Sequence, residues 1–324
     1  MRHNKKQINA TKHIIKYMCL AFMFSTASAQ TDTNTVNLLN HLADVYEQQG
    51  NYQISNKYAD SALQFAQKIN YKKGQASALN NLGLIQYNQS NYTQALNLYT
   101  RSYKICKTLN YKQGIASYFC NVALVYADLE NYTEATIKYI TALKIYQNIH
   151  YKIGEALCYN HLGLAYSKQQ KFTKAVAHLS MALKIRQQLN DTMGIADTYN
   201  NIGYIYYNKQ NFADALTYYN LALLLNQQSN NPAAQAYTYN CLGNVYASLS
   251  NYNQALQNYL TALRLTQQLN NNVDDLVELY SAISEVYSQT QNYAQANYYK
   301  DECKKLAEKL NPTNLYPAKS YGNN

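Results

Sequence analysis

The chain has 324 residues, enough for two ordinary domains or for one long repeat array. Only 3 residues are Pro and 47% are hydrophobic, a composition that favours long uninterrupted helices around a core. The formal charge is +10, but five basic residues lie in the first 29 positions, and the roughly +5 that remains is scattered without the basic stripe that phosphate binding needs. Nucleic acid is therefore excluded as an expected partner.

The first 29 residues have the pattern of a signal peptide. A basic leader precedes the apolar run Tyr17–Phe24, and residues 27–29 form the Ala-x-Ala pattern that signal peptidase accepts. The run is far shorter than the roughly 20 residues that span a bilayer. The pattern predicts cleavage before Gln30, no stable membrane insertion afterwards, and an exported protein that is periplasmic or secreted. A membrane anchor, a disordered tail and a lipoprotein attached through Cys19 are the alternatives.

After this segment the sequence repeats itself with a period of 40. The motif Asn80-Asn81-Leu82-Gly83 recurs at 160–163, 200–203 and 240–243, with weaker copies at 40–43, 120–123 and 281–284. A Tyr follows three residues after the small residue in every copy but the second, and an Asn-Tyr type of turn follows five residues later. Seven repeats are predicted at about 33–70, 71–110, 111–150, 151–190, 191–230, 231–271 and 272–311, with one extra residue near 270–273 and a short polar tail at 312–324.

Each repeat is predicted to form two antiparallel helices, because its apolar residues recur at intervals of three and four. Asn91, Asn131 and Asn251 stand just before second helices and have Gln or Glu three residues later, as in a capping box. Gly83 and its copies stand in mid-helix, where Gly costs about 1 kcal/mol relative to Ala. Repeated Gly at such a position predicts that a neighbouring helix packs too close for a side chain.

These residues resemble the tetratricopeptide repeat family. Its pattern is Leu-Gly, a Tyr three positions later, a turn ending in an aromatic residue, and two spaced Ala flanking another aromatic residue, here Tyr99, Tyr139, Tyr219 and Tyr259. The resemblance covers about residues 33–311 and implies an all-α fold, a right-handed α-solenoid of seven antiparallel helix-turn-helix repeats. The chain departs from the family in its period of 40 rather than 34, and in lacking Pro at the usual end of the second helix. The resemblance also implies a scaffold or adaptor that binds a protein or an extended peptide segment in a concave groove lined by the first helices.

In some members of this family, Asn just before the motif Leu forms a ladder that contacts the backbone of an extended peptide. An amide side chain offers both a donor and an acceptor, which suits a peptide unit. The candidate peptide-binding residues are Asn81, Asn121, His161 and Asn201 at this position and Asn80, Asn160, Asn200 and Asn240 one residue earlier, with Leu84, Leu124, Leu164 and Tyr204 as secondary groove contacts. Cys241 and Ala282 interrupt the ladder towards the C-terminal end. In the alternative interpretation the Asn side chains cap or bridge adjacent helices, and the apolar residues pack against the neighbouring first helix.

The sequence predicts no enzyme, no catalytic residue, no cofactor and no metal site. No two of the four His residues after the leader share a helix at metal-ligand spacing, and the chain has no glycine-rich phosphate loop and no nucleophile elbow. The five Cys residues after the leader are too scattered for a disulfide framework, although Cys120 and Cys158 lie on the first helices of adjacent repeats and could form a bridge. As a function, a solo sensory or regulatory module that resembles the exported input regions of bacterial sensor kinases is the alternative to the adaptor.

Overall fold

The computed structural model describes residues 29–269 and 273–310. These ranges contain α-helices and no strands, which confirms the predicted all-α fold. The helices are α1 (Ala29–Gln48), α2 (Tyr52–Lys68), α3 (Lys72–Asn88), α4 (Tyr92–Thr108), α5 (Lys112–Asp128), α6 (Tyr132–Asn148), α7 (Lys152–Lys168), α8 (Phe172–Gln188), α9 (Thr192–Asn208), α10 (Phe212–Gln228), α11 (Pro232–Ser248), α12 (Tyr252–Leu269), α13 (Val273–Gln289) and α14 (Tyr293–Leu310). Residues 1–28, the extra residue near 270–272 and the tail at 312–324 lie outside the described residues.

The helices belong to two units, one ending at Glu130 and the other starting at Asn131. In unit 1, α1 packs on α2 and α3 on α4 as hairpins, and the first helices α1, α3 and α5 also contact one another in sequence order. In unit 2, the hairpins are α7–α8, α9–α10, α11–α12 and α13–α14, and α9 contacts both α7 and α11. These contacts join α1, α3 and α5 in unit 1, and α7, α9 and α11 in unit 2, into a layer of first helices.

Short links of identical design end almost every helix. Asn70 has a φ of 56°, and its N–H donates to Gln67 O (3.1 Å) while the next N–H, of Tyr71, donates to Ala66 O (2.8 Å). This pair of bonds is a Schellman motif, which satisfies the last carbonyls of a helix without a Pro. At two other links the residues with positive φ are Glu130 and Gln170, with φ of 58° and 57°. The second helices thus end without Pro, through a residue in the left-handed backbone conformation that is most often not glycine.

The N-terminal caps follow the predicted pattern in part. Asn131 accepts a hydrogen bond from the N–H of Glu134 (3.2 Å), as the sequence predicts. The prediction is wrong for Asn91, whose side chain makes no cap bond and instead donates to Gln86 Oε1 (3.1 Å). Gln86 stands where the other repeats carry Tyr, and the bond to its amide oxygen orients the Asn91 side chain.

The mid-helix glycines mark the closest approach within a hairpin. A Cβ added to Gly203 in α9 would lie 2.9 Å from ring atoms of Tyr219 in α10, and one added to Gly163 in α7 would lie 2.6 Å from Leu179 in α8. Tyr219 is only 2% exposed and belongs to a core cluster with Leu242 of the next hairpin. The predicted close packing is confirmed, and the group that requires it is the large side chain of the paired second helix.

Candidate functional site

Unit 1 has a polar cavity of about 390 Å³ on its layer of first helices. Its lining includes Asn40, His41 and Asp44 from α1, Asn80 and Asn81 from α3, and Gln113 and Ser117 from α5. Burial raises the pKa of the Asp44 carboxyl, and the nearby His41 partly opposes this shift. Apart from His41 and Asp44, the polar side chains of the lining are the uncharged types Asn, Gln, Ser and Tyr, so the cavity offers mainly neutral hydrogen-bonding groups.

The predicted ladder residues of unit 1 connect neighbouring first helices. Asn81 Nδ2 donates to the backbone oxygen of Asn40 (2.9 Å), and Asn121 Nδ2 donates to Asn80 Oδ1 (2.7 Å). Both Asn81 and Asn121 are buried. Within the described residues, Asn81 Oδ1 accepts no hydrogen bond, so the side chain keeps an acceptor and the second hydrogen of Nδ2 beside the cavity that it lines.

Unit 2 has a second cavity, of about 320 Å³, at the equivalent place. Asn201 Nδ2 donates to Asn160 Oδ1 (2.9 Å), which repeats the helix-to-helix bridge seen in unit 1. The two Asn side chains line the cavity together with His161, Arg186, Asp197, Asn200, Leu157 and Tyr237. Four predicted peptide-binding residues, Asn160, His161, Asn200 and Asn201, are therefore brought together here.

Two further predicted residues fit the bridging alternative. Asn200 is 3% exposed, and its Nδ2 donates to Thr238 Oγ1 of α11 (3.1 Å). Asn240 Nδ2 donates to Glu278 Oε1 of α13 (2.9 Å). Each amide ties its own first helix to the next one, so these side chains fix the register of the layer.

His161 is a neutral side chain near pH 7. Burial lowers the pKa of its imidazole to about 4, and the positive charge of Arg186 contributes to the same shift. The ring stacks on Tyr139, with 5.2 Å between ring centroids and 7° between the planes. His161 therefore adds polar but uncharged surface to the cavity.

Arg186, in the last turn of α8, is a cavity residue that the sequence reasoning missed. The side chain is nearly buried, and its Nη1 donates to Gly194 O and to Thr198 Oγ1 (2.6 Å). Its Nε lies 3.9 Å from Asp191 Oδ2. The other repeats carry uncharged residues at this position, such as Ala66, so the single charge was a signal in the sequence.

The apolar candidates are half-buried. Leu84 packs against the core cluster of Ala95, Tyr99 and Val125, as expected if this position serves helix packing. Leu124, Leu164 and Tyr204 are half-buried as well, and Lys168 Nζ lies 5.6 Å from the centre of the Tyr204 ring.

The described residues carry few other reactive groups. Among the described residues no Cys is in a disulfide, so the Cys120–Cys158 bridge that the sequence left open is not formed. Within residues 29–269 and 273–310, no group of three or more His, Cys, Asp or Glu side chains is placed to hold a metal ion. None of the helices in these ranges is long and apolar enough to cross a membrane.

Comparison with known structures identifies the same fold. A Rap protein complexed with competence and sporulation factor aligns with a TM-score of 0.66 and 15% identity, covering 95% of this chain and 94% of the other. BtubC from P. vanneervenii aligns with a TM-score of 0.59 and 22% identity, over 71% and 96% of the two chains. The Rap conjugation gene regulator of plasmid pLS20, in complex with the Phr* peptide, gives 0.55 and 14%, over 86% and 98%.

The sequence itself matches a known repeat. One tetratricopeptide repeat profile matches residues 34–108, 114–188 and 233–309, and a second matches residues 196–229. No curated protein matches the sequence. Because the matched segments cover most of the chain and coincide with the helical hairpins, the chain belongs to the tetratricopeptide repeat family.

Proposed function

We propose that the chain is a non-enzymatic scaffold that binds an extended peptide or protein segment along its first helices. The observation that carries this proposal is the pair of cavities, each lined by an Asn side chain that one hydrogen bond holds to the neighbouring first helix and that keeps an unused acceptor. Asn81 faces one cavity and Asn201 the other, and neither Oδ1 accepts a hydrogen bond from the described residues. These oxygens form two fixed acceptors beside the cavities.

Fixed acceptors suit the backbone of an extended chain. Every residue of a peptide except Pro carries one N–H donor, and in an extended ligand these donors are not used internally. Because the bond to the Asn40 backbone oxygen fixes the Asn81 amide, its Oδ1 can accept an N–H of the ligand backbone, and the second hydrogen of Nδ2 remains for a ligand carbonyl. Binding of this kind holds the ligand backbone without reading its side chains. The structures of Rap proteins with competence and sporulation factor and with the Phr* peptide are precedents for ligands on this fold.

The test is a displayed library of random peptides presented to the chain from Gln30 onwards. Peptides that bind are then measured against a variant carrying Asn81→Ala, Asn121→Ala and Asn201→Ala. The matched control carries Asn97→Ala, Asn220→Ala and Asn253→Ala, at exposed positions on second helices. Circular dichroism establishes that both variants fold.

A contribution to binding predicts at least a tenfold loss of peptide affinity in the first variant and no loss in the control. If the first variant lost thermal stability but kept its affinity, the Asn side chains would be bridges alone, and the proposed site would be wrong. If no peptide bound but a small metabolite raised the Tm, the scaffold would be refuted in favour of the sensory alternative.

Export to the periplasm or the medium is part of the proposal and depends on residues 1–29. The expected result is a mature protein in the envelope or culture supernatant whose N-terminal residue is Gln30, as measured by cell fractionation and N-terminal sequencing. A full-length protein found in the cytoplasmic fraction would contradict it.

A further inference from the structure

Unit 2 exposes large apolar side chains on three consecutive first helices. Ile153 of α7 and Met193 of α9 are 60% and 59% exposed, and Leu157 of α7 and Tyr237 of α11 are 40% and 52% exposed. These four residues are called the apolar stripe below. Ile153 and Met193 occupy the same position of successive repeats, and Leu157 and Tyr237 share a position one turn later. At the same two positions α9 also carries Asp197 and α11 carries Ala233, so each of the three helices offers one exposed large apolar side chain in Ile153, Met193 and Tyr237. Large apolar side chains exposed on neighbouring helices are characteristic of binding sites.

The stripe is a property of particular repeats and not of the fold. In unit 1 the equivalent positions carry Lys73 and Ser77 on α3, and Gln113 and Ser117 on α5. The helices there are the same length and their Asn bridges are the same, so the fold does not require apolar residues at these positions.

The stripe lies beside the Asn residues of unit 2. Leu157 and Tyr237 line the 320 Å³ cavity together with Asn160 and Asn201. A backbone held at the Asn201 acceptor would therefore have Leu157 and Tyr237 beside it, and Met193 lies about two turns before Asn201 on the same helix. Arg186 and Asp197, which line the same cavity, carry opposite charges, so the floor favours neither an acidic nor a basic ligand at this point.

The spacing of the first helices selects a conformation for the ligand. Packed helices lie about 8–10 Å apart. A ligand in polyproline II conformation rises about 3.1 Å per residue with three residues per turn, so every third side chain points the same way at intervals of about 9.3 Å. Same-facing side chains of a β-strand repeat at only about 6.6 Å. A polyproline II ligand crossing α7, α9 and α11 thus meets each helix with one residue in three.

The groove becomes acidic where the stripe ends. Helix α13 follows α11 and is tied to it by the bond from Asn240 Nδ2 to Glu278 Oε1. It contains Asp274, Asp275, Glu278 and Glu285 and no Lys or Arg, whereas α11 has no charged residue. Glu278 occupies the position equivalent to Tyr237, one repeat further on, and both Glu278 and Glu285 are exposed. A ligand that continues past α11 therefore gains from a positive charge.

From these observations we infer that unit 2 selects an extended peptide with apolar residues at every third position. Three residues beyond the last apolar residue, this peptide has a Lys or Arg that lies against α13. This inference rests on the proposed function and names the class of peptide that the groove takes. The apolar stripe supplies the selectivity, and the Asn acceptors hold the backbone.

The test uses fluorescence anisotropy with synthetic peptides of one composition and different order. The first peptide has Leu at three positions, each three residues after the last, and a Lys three residues beyond the outermost Leu. It is made in two versions, with the Lys at the N-terminal end or at the C-terminal end. The others space the same Leu residues by two, or by three and four in alternation as on a helix. The protein variants are Met193→Ser with Tyr237→Ser, and the matched control is Met181→Ser with Leu221→Ser, two exposed apolar residues on second helices.

The expected result is that one of the three-residue peptides binds at least tenfold more tightly than the other spacings. Met193→Ser with Tyr237→Ser removes this preference, and the control pair leaves it intact. Glu278→Gln with Glu285→Gln lowers the advantage of Lys over Gln in the peptide several-fold.

Equal affinity for all spacings, a preference for the helical spacing, or equal losses in stripe and control variants would overturn the inference. If affinity still depended on Asn201 in those cases, the proposed function would stand without this selectivity. If neither these peptides nor any library peptide bound, both would be refuted.

Discussion

Substituting Gly203 by Ala tests the close approach that organises every hairpin. The added methyl group would lie 2.9 Å from two ring atoms of Tyr219 and 3.1 Å from a third. Tyr219 is buried, so its ring has little room to move. Overpacking of this kind costs about 1–3 kcal/mol, while Ala in place of Gly stabilises a helix interior by about 1 kcal/mol. The expected net effect is a loss of about 1 kcal/mol in the free energy of unfolding.

The sign of the effect should reverse when the ring is removed. In a Tyr219→Ala background, Gly203→Ala has no clash and keeps the gain in helix propensity, so it should stabilise by about 1 kcal/mol. Urea unfolding followed by circular dichroism measures both steps, and hydrogen exchange of α9 reports the local change in a repeat array. If Gly203→Ala stabilised the unmodified protein, the ring would have moved aside, and close packing would not explain the repeated glycines.

Three other predictions follow from single contacts. The free energy of unfolding should fall by up to about 3 kcal/mol as the pH drops from about 6.5 to about 4, because His161 binds a proton more weakly in the folded state than in the unfolded chain. Urea unfolding of His161→Gln should no longer show this pH dependence. If the dependence were retained, other groups would be its cause. Asn201→Ala should lower the stability by about 1 kcal/mol through loss of the bond to Asn160, and unchanged urea curves would show that this bridge contributes nothing. Burial raises the pKa of the Cys241 thiol to about 12, so iodoacetamide at pH 8 should alkylate it far more slowly than a cysteine of the unfolded chain, as measured by mass spectrometry; rapid labelling would contradict its burial.

Much of the candidate site could be located from the sequence, but the hydrogen-bond partner of each polar atom could not. The repeat position identified Asn81 and Asn201, and both line cavities on the first-helix layer. The sequence could not show that Asn81 Nδ2 is bonded to Asn40, because that bond joins residues 41 apart and depends on how far one helix is displaced along the next. It also missed Arg186, which lies on a second helix and enters the cavity only through the packing of α8 against α9.

The sequence by itself determined the fold. A period of 40, apolar residues at intervals of three and four, and glycines in phase specify hairpins that must stack, because one hairpin cannot bury its own apolar face. These signals are local, and their recurrence in seven repeats is too regular to be a coincidence. Tertiary structure alone decided which polar atoms remain for a ligand, that Ile153 and Met193 are exposed, and that Leu157 and Tyr237 line a cavity with Asn160 and Asn201. The reason is physical: exposure and hydrogen-bond pairing depend on neighbouring helices that are distant in the chain, and a repeat pattern fixes the positions of residues without fixing what each of them faces.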